Sequence, residues 1–266
     1  MNLLPLQDLW VVITRPADQS AGLIKTIEEM GGHAIPWPAL MIKPIDISNQ
    51  TRQSLSALKT YDHIIFISVN AVNFGLAAMV DQGIDLDGMD VFAVGKTTAK
   101  SLENAGIQNV HVPEIASSEG LLAMLVFSAE SIKGKRCLIV RGKGGNEKLA
   151  KELLMRGASA VNYAEVYQRS SADSDPVILE QHWQNNQLDL IIITSIAGLD
   201  NLFAILGKKN QSRLCSTPLL TVSDRVAEHA KRKGFTHPIL VAKSAIDKDI
   251  IATMRSWHQV RGKNNE

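Results

Sequence analysis

Short, continuous apolar segments alternate along the chain with segments whose apolar residues recur at helical spacing. The runs Val11–Ile13, Ile64–Ile67 and Ile191–Ile193 lack the polar alternation of a half-exposed strand, and they predict parallel strands buried on both faces. Leu23 and Ile27, one helical turn apart, lie in a segment that predicts an amphipathic helix. Strands and helices in alternation predict an α/β protein with helices on both faces of each sheet.

The pattern of strands and helices occurs twice, offset by about half the chain. One apolar run ends in Arg15 and another in Arg141, an offset of 141 − 15 = 126 positions. Each run is followed by a helix that we expect to stop at a left-handed glycine, Gly32 in the first copy and Gly157 in the second, 157 − 32 = 125 positions apart. The repeat predicts two similar parallel-sheet domains of the flavodoxin or Rossmann-like class.

Two extended segments, 34–44 and 160–170, each follow the first helix of a repeat. Prolines in the first of them exclude a central strand, because proline has no N–H to donate to a neighbouring strand. We therefore predict that both segments connect the two domains. The first domain is then discontinuous, with residues 1–38 and 171–266, and the second comprises residues 39–170.

The composition is that of an ordinary soluble domain, with 45% hydrophobic and 21% charged residues. A formal net charge of +1 argues against a duplex nucleic-acid partner. The sequence lacks an apolar run of about 18 residues, so we expect no membrane span and no membrane partner. Cys137 and Cys215 lack CxxC spacing, and the first fifteen residues lack a basic leader region. Both features predict a cytoplasmic protein with reduced thiols.

Cations, hydroxyl groups and glycines follow the predicted strands. Ligands of open parallel sheets bind at the carboxyl edge of the strands, where helix N-termini also favour anions. Strand-end loops are polar in most α/β proteins, so their polarity alone does not indicate a ligand site. The arginines at matching positions of the two repeats are the stronger evidence for one. We expect a ligand with several carboxylates or phosphates. The candidate binding residues are Arg15, Ser68, Asn70, Gly95, Lys96, Thr97, Thr98, Arg141, Gly142, Lys143, Gly144, Thr194, Ser195, Ser223 and Arg225.

Conventional catalytic and cofactor motifs are missing from the sequence. In the glycine loop 141–147, Glu147 stands where a dinucleotide fingerprint has its third glycine, and the Lys-Ser/Thr of a phosphate loop is also missing. The seven histidines contain no pair at metal-ligand spacing on one helix. We predict no cofactor and no metal. Two functions are compatible with these features. One is a two-lobed cytosolic binding module for a small polyanion, and the other is a nucleotide-using enzyme with paired Rossmann-like domains.

Short motifs in a fixed order resemble the uroporphyrinogen-III synthase family over essentially the whole chain. They are Thr14-Arg15-Pro16, Ser68-Val69-Asn70-Ala71, Gly95-Lys96-Thr97-Thr98-Ala99, Ser118-Glu119-Gly120, Arg141-Gly142-Lys143-Gly144-Gly145, Tyr167-Gln168-Arg169, Thr194-Ser195 and Ser223-Asp224-Arg225. The resemblance implies a cofactor-free lyase of heme biosynthesis that cyclises hydroxymethylbilane. Water is lost, and ring D is inverted through a spiro intermediate.

The same resemblance implies roles for individual residues. Tyr167 matches a tyrosine that assists loss of the substrate hydroxyl, and Ser118 and Arg169 join the candidates for substrate binding. The threonine of the Gly-x-x-Thr-Ala motif is present as Thr98, whereas the second copy has Val226 in its place. The implied partners are the substrate itself and, transiently, the upstream enzyme that forms the bilane.

Overall fold

A computed structural model describes residues 4–263 of the chain. The chain divides into two compact units. Unit 1 contains residues up to Met41 and from Ser170 onward, and unit 2 contains Ile42–Arg169. Within the described residues, no helix is both long enough and apolar enough to cross a membrane.

The strands of the described residues are short, apart from one. They are β1 (Trp10–Ile13), β2 (His33–Pro36), β3 (Leu40–Pro44), β4 (His63–Phe66), β5 (Asp90–Ala93), β6 (Val110–His111), β7 (Arg136–Gly142), β8 (Ala160–Ser171), β9 (Leu190–Ile193), β10 (Leu219–Thr221) and β11 (Ile239–Val241).

Helices alternate with these strands. They are α1 (Ala21–Glu29), α2 (Asn49–Ser56), α3 (Val69–Val80), α4 (Lys96–Asn104), α5 (Ser118–Leu122), α6 (Ala129–Ile132), α7 (Lys148–Met155), α8 (Pro176–Gln184), α9 (Ile196–Cys215), α10 (Asp224–Arg232) and α11 (Asp247–Lys263). Gly207 interrupts α9 with a φ of 65°.

The sheet of unit 1 has five parallel strands in the order β11-β10-β9-β1-β2. Val11, Val12 and Ile13 of β1 are all fully buried. Val12 packs in one apolar cluster, and its two neighbours pack in another. Because successive strand residues point to opposite faces, both faces of this sheet are covered. The prediction of buried parallel strands is confirmed for this unit.

The sheet of unit 2 has six strands in the order β3-β8-β7-β4-β5-β6, and the pairs from β8 to β6 are parallel. Ile64 and Phe66 pack on one face with helices α3 and α4, and Ile65 packs on the other face with α5 and α7. The α/β class and the presence of two parallel sheets are therefore as predicted.

The two segments expected to be connectors are strands of the sheets. Residues 34–44 form most of β2 and all of β3, which are edge strands of different sheets. They end at Pro36 and Pro44, in agreement with the exclusion of proline from central strands. Residues 160–170 form most of β8, and both unit boundaries fall within the neighbouring strands β3 and β8.

The left-handed glycine after the first helix lies at the predicted position in one repeat and one residue earlier than predicted in the other. Gly157 has a φ of 102°, as expected for a left-handed stop after α7. After α1 the left-handed residue is Gly31, with a φ of 84°, so the prediction of Gly32 is wrong. Gly32 is a close-packing position instead, because a Cβ there would lie 2.9 Å from Cγ2 of Ile27.

His63, at the start of β4, is a buried histidine. Its ring contacts the rings of Phe92 and Phe127 edge-on, at centroid distances of 5.2 and 5.6 Å. Neither ring nitrogen has a hydrogen-bond partner, and the nearest carboxylate oxygen, of Asp90, is 3.9 Å from Nδ1. Burial lowers the pKa of His63 below its usual 6.5, and the charge of Asp90 opposes that shift only in part.

This lowered pKa predicts a loss of stability in mild acid. Below about pH 6.5 the unfolded chain binds a proton at His63 that the folded chain excludes, so stability falls until the pH reaches the folded pKa. We expect His63→Leu to flatten the dependence of Tm on pH between pH 7.5 and 5.5. The control is His237→Gln, at an exposed histidine. Equal slopes for His63→Leu and wild type would contradict this expectation.

Candidate active site

Helix N-termini line the carboxyl edge of the sheet in unit 2. Ser68 follows β4 and caps α3, because its Oγ accepts the N–H of Ala71 at 3.1 Å. Gly95 follows β5 and occupies the cap position of α4. Ser117 caps α5 by accepting the N–H of Gly120 at 2.9 Å. The free N–H groups of these first helical turns make the edge suitable for anions.

Gly95 is required by space rather than by backbone freedom. Its φ of −161° is extended, but a Cβ atom there would lie 2.9 Å from Cβ of Ala116. Lys96 and Thr97 after it are exposed, whereas Thr98 is 6% exposed and packs inward. Asn70 and Ser118 of the predicted set are partly exposed at the same edge, each in the first turn of a helix.

A β-bulge sets the position of Tyr167 on β8. Arg141 pairs with Glu165, but the next residue of β7, Gly142, pairs with Tyr167, so Val166 is the extra residue. A Cβ atom at Gly142 would lie 2.5 Å from Cε2 and 2.7 Å from Cζ of Tyr167. The tyrosine ring therefore occupies the space that any other side chain at 142 would need.

The phenolic oxygen of Tyr167 reaches the cap of α3. Its Oη lies 3.1 Å from Oγ of Ser68, while the ring is 2% exposed and faces Phe74. The N–H of Lys143 donates to the backbone carbonyl of Tyr167 at 2.8 Å. A phenolic hydroxyl held in this way can donate a hydrogen bond or a proton to a ligand bound beside it.

Arg141 holds the glycine loop in place. Its Nε and Nη2 donate to Oε1 of Glu165 at 3.3 and 3.1 Å, and Nη1 donates to the carbonyl of Asn146 at 3.2 Å. The guanidinium also lies over the ring of Tyr163, 3.8 Å from its centroid. Because its donors are already occupied by Glu165 and Asn146, a substrate carboxylate would have to displace Glu165 to bind this guanidinium.

Exposed cations surround this edge. Lys143 and Gly144 follow Arg141 and are exposed, and Gly144 takes a φ of 71° with its N–H donating to Glu165 at 3.3 Å. Lys96 and Arg169 are exposed as well. These side chains differ from Arg141 in being open to an incoming anion.

Unit 1 has a similar edge. Ser195 caps α9 and Ser223 caps α10, with their Oγ atoms accepting N–H groups at 3.0 and 3.4 Å. Thr194 is partly exposed, and Arg225 lies exposed in the first turn of α10. The edge again combines hydroxyl groups with helix N-termini.

Arg15 is the counterpart of Arg141 in unit 1. It is 8% exposed, and its Nη1 donates to Oδ1 of Asp247 at 2.7 Å, while Nη2 donates to the carbonyl of Ala245. Both predicted arginines therefore bind carboxylates of their own unit. Asp247 is 232 positions away from Arg15 along the chain.

The acidic partners of the two arginines and the bulge in β8 are not predicted from the sequence. Glu165 lies two residues before Tyr167, where its charge could have suggested a cross-strand pair with Arg141. Nothing in the sequence marks Asp247 or the extra residue Val166. Among the residues that the structure describes, no three His, Cys, Asp or Glu side chains form a group that could hold a metal ion.

Comparisons with known proteins agree on one family. A sequence model of the family described as uroporphyrinogen-III synthase HemD matches residues 21–252. The chain is 30% identical over 243 residues to a uroporphyrinogen-III synthase of Escherichia coli K12, covering 91% of this chain and 97% of that protein. It is 27% identical over 206 residues to one of Chlorobaculum parvum, covering 76% of this chain and 81% of the relative.

Two solved structures have the same fold. The uroporphyrinogen-III synthetase of Helicobacter pylori aligns with a TM-score of 0.58 at 16% identity, over 94% of this chain and 99% of that one. A mutant uroporphyrinogen III synthase from Thermus thermophilus aligns with a TM-score of 0.57 at 17% identity, over 96% of this chain and 99% of its own length.

Proposed function

The chain belongs to the uroporphyrinogen-III synthase family of tetrapyrrole biosynthesis, and we propose that it acts as a cyclising hydro-lyase with Tyr167 as its proton donor. Hydroxymethylbilane is the substrate, and the product is the macrocycle with ring D inverted. The observation that carries the proposal is the phenolic oxygen of Tyr167, held by a buried ring 3.1 Å from the serine that caps α3.

The first step is loss of the hydroxyl group from the ring-A hydroxymethyl carbon. The phenolic O–H of Tyr167 gives its proton to the leaving oxygen as the C–O bond breaks, and the bonding electron pair leaves with that oxygen as water. An azafulvenium cation and a phenolate remain. The pyrrole N–H of ring A then loses its proton, and the phenolate is reprotonated, so protons and charges balance.

The later steps need positioning more than acid–base groups. The substituted α-carbon of ring D attacks the electrophilic ring-A methylene to give the spiro intermediate, and the ring-A nitrogen regains its proton. The bond from that α-carbon to the ring-C methylene then breaks, and this methylene bonds to the unsubstituted α-carbon of ring D, which loses its proton, so the ring is turned over. An unguided bilane closes to the unturned isomer, so the protein must hold the hindered carbon of ring D against the ring-A methylene. Holding reacting atoms in this way is a recognised source of rate enhancement.

The many carboxylates of the substrate suit the cations and helix N-termini that a sheet edge of this kind presents. We propose that the exposed cations Lys96, Lys143 and Arg169 bind carboxylates directly, together with N–H groups of the first turns of α3 and α4. Arg15 and Arg141 act on the substrate by fixing their loops through Asp247 and Glu165. Of the remaining predicted residues, Ser68 acts through its bond to Tyr167. The others offer the substrate the guanidinium of Arg225, the amide of Asn70, the backbone of Gly95, Gly142 and Gly144, and the hydroxyl groups of Thr97, Thr98, Ser118, Thr194, Ser195 and Ser223.

We also propose a cytoplasmic location and direct supply of the bilane by the enzyme that forms it. Both cysteines are free thiols, and burial raises the pKa of Cys137 to about 12, which keeps it unreactive. Direct supply shortens the time in which the free bilane closes to the wrong isomer.

The first test is an isomer assay. Hydroxymethylbilane is generated in situ, the protein is added without any cofactor, and the oxidised porphyrins are separated. We expect predominantly type III product in proportion to protein concentration. Type I alone, at the spontaneous rate, would contradict the proposal and favour a binding module for a small polyanion.

In the same assay, Tyr167→Phe tests the proton donor. This variant keeps the buried ring on Gly142 but has no phenolic hydrogen, so we expect kcat to fall roughly 100-fold, the low end of the range for general acid catalysis. The Tm should change little, because the ring and its packing are retained. Full retention of kcat would remove Tyr167 from the mechanism.

Arg141 and Lys143 should behave differently when substituted. Arg141→Lys cannot form the forked bonds to Glu165 and Asn146, so we expect a destabilisation of about 2 kcal/mol, seen as a lower Tm. Lys143→Gln should leave Tm unchanged and raise KM for the bilane several-fold, with the smallest effect at high salt. A higher KM for Arg141→Lys without loss of Tm would place that guanidinium on the substrate.

A further inference from the structure

Packing leaves the Tyr167 side chain little freedom beyond rotation of its hydroxyl hydrogen. The residue is 2% exposed, and its ring fills the space above Gly142. Phe74 faces the ring with a centroid distance of 5.7 Å. Since the ring position is fixed, the direction of the phenolic O–H depends on the hydrogen-bond partners of the phenolic oxygen.

Ser68 is the side-chain partner of that oxygen. A serine hydroxyl has one hydrogen to donate and two lone pairs that accept. One lone pair of Ser68 Oγ accepts the N–H of Ala71 at 3.1 Å, and Oη of Tyr167 lies at the same distance on another side. Ser68 therefore has its hydrogen available for Tyr167.

Helix α3 polarises the hydroxyl of Ser68. A hydroxyl that accepts a hydrogen bond becomes a stronger donor, because bonds in a chain polarise one another. Ser68 accepts from the first turn of α3, where the positive end of the helix dipole adds to this polarisation. Either hydroxyl can be the donor in this bond, and polarisation by the helix favours Ser68. Donation from Ser68 leaves the phenolic hydrogen free, whereas the reverse bond would occupy it.

We propose that Ser68 is a positioning residue that donates to the Tyr167 oxygen and so directs the phenolic hydrogen toward the departing hydroxyl of the substrate. This inference rests on the proposed role of Tyr167. After proton transfer the phenolate keeps the same bond, now charge-assisted and stronger. Because this hydrogen bond strengthens only as negative charge develops on the phenolic oxygen, Ser68 should affect kcat rather than KM.

Ser48 offers a matched control for the capping role of Ser68. It caps α2 by accepting the N–H of Thr51 at 3.1 Å, the same distance as in the Ser68 cap. Its second hydrogen bond, at 3.2 Å, also goes to Thr51. Ser48→Ala therefore removes a cap with the same hydrogen-bond distance at a serine that is not bonded to Tyr167.

The experiment measures kcat, KM and Tm in the isomer assay for Ser68→Ala, Ser68→Thr and Ser48→Ala. We expect Ser68→Ala to lower kcat about tenfold with KM within twofold of wild type, which is the effect of one charge-assisted hydrogen bond. Ser68→Thr keeps a hydroxyl and should recover most of kcat. Ser48→Ala should lower Tm as Ser68→Ala does and keep the wild-type kcat.

Two comparisons separate failure of this inference from failure of the proposed function. If Tyr167→Phe is slow and Ser68→Ala has the wild-type kcat, the inference is overturned and the proton donor stands. If Tyr167→Phe keeps the full rate, both the proposed proton donor and the inference about Ser68 are overturned. In the double variant, Ser68→Ala should add little to Tyr167→Phe, and full additivity would show that Ser68 acts elsewhere. Should Ser68→Ala not fold, Ser68→Gly removes the hydroxyl at a residue type that helix caps tolerate.

Discussion

The packing of the Tyr167 ring on Gly142 is the contact on which the arrangement of the unit 2 edge depends. It exists because Val166 is an extra residue in β8, which brings Tyr167 opposite a glycine instead of a bulky neighbour. Up to that point β7 and β8 keep one regular register, which places Glu165 opposite Arg141 and forms the ion pair that holds the glycine loop. The inserted residue acts after this pair, and it alone moves Tyr167 opposite Gly142.

The two repeats have similar architectures, but the proposed proton donor, Tyr167, lies in one of them. In each, a buried arginine after a strand is paired with a carboxylate, Asp247 for Arg15 and Glu165 for Arg141. In each, serines cap the helices at the carboxyl edge. The buried arginine and the serine caps are thus common to both units, whereas Tyr167, the proposed proton donor, belongs to unit 2.

Most of the fold could be predicted from the sequence, because it follows from local patterns. Continuous apolar runs such as Ile64–Ile67 can be buried on both faces only in a covered parallel sheet. The site was harder to predict. Strand ends indicated Ser68 and Arg141, but their partners depend on register and on long-range contacts. Asp247, 232 positions from Arg15, leaves no local signal, and a one-residue bulge does not alter the apolar pattern.

The placement of both unit boundaries in the neighbouring strands β3 and β8 has a consequence for the order of folding during synthesis. Unit 2 is continuous, so it can fold once the ribosome has released Arg169, whereas β1 has to wait for its partner β9. Joining the two parts of unit 1 would close a loop of 169 − 42 + 1 = 128 residues in an unfolded chain. A folded unit 2 already holds the ends of that loop side by side, so the entropy cost of closure is met before the last third of the chain is made.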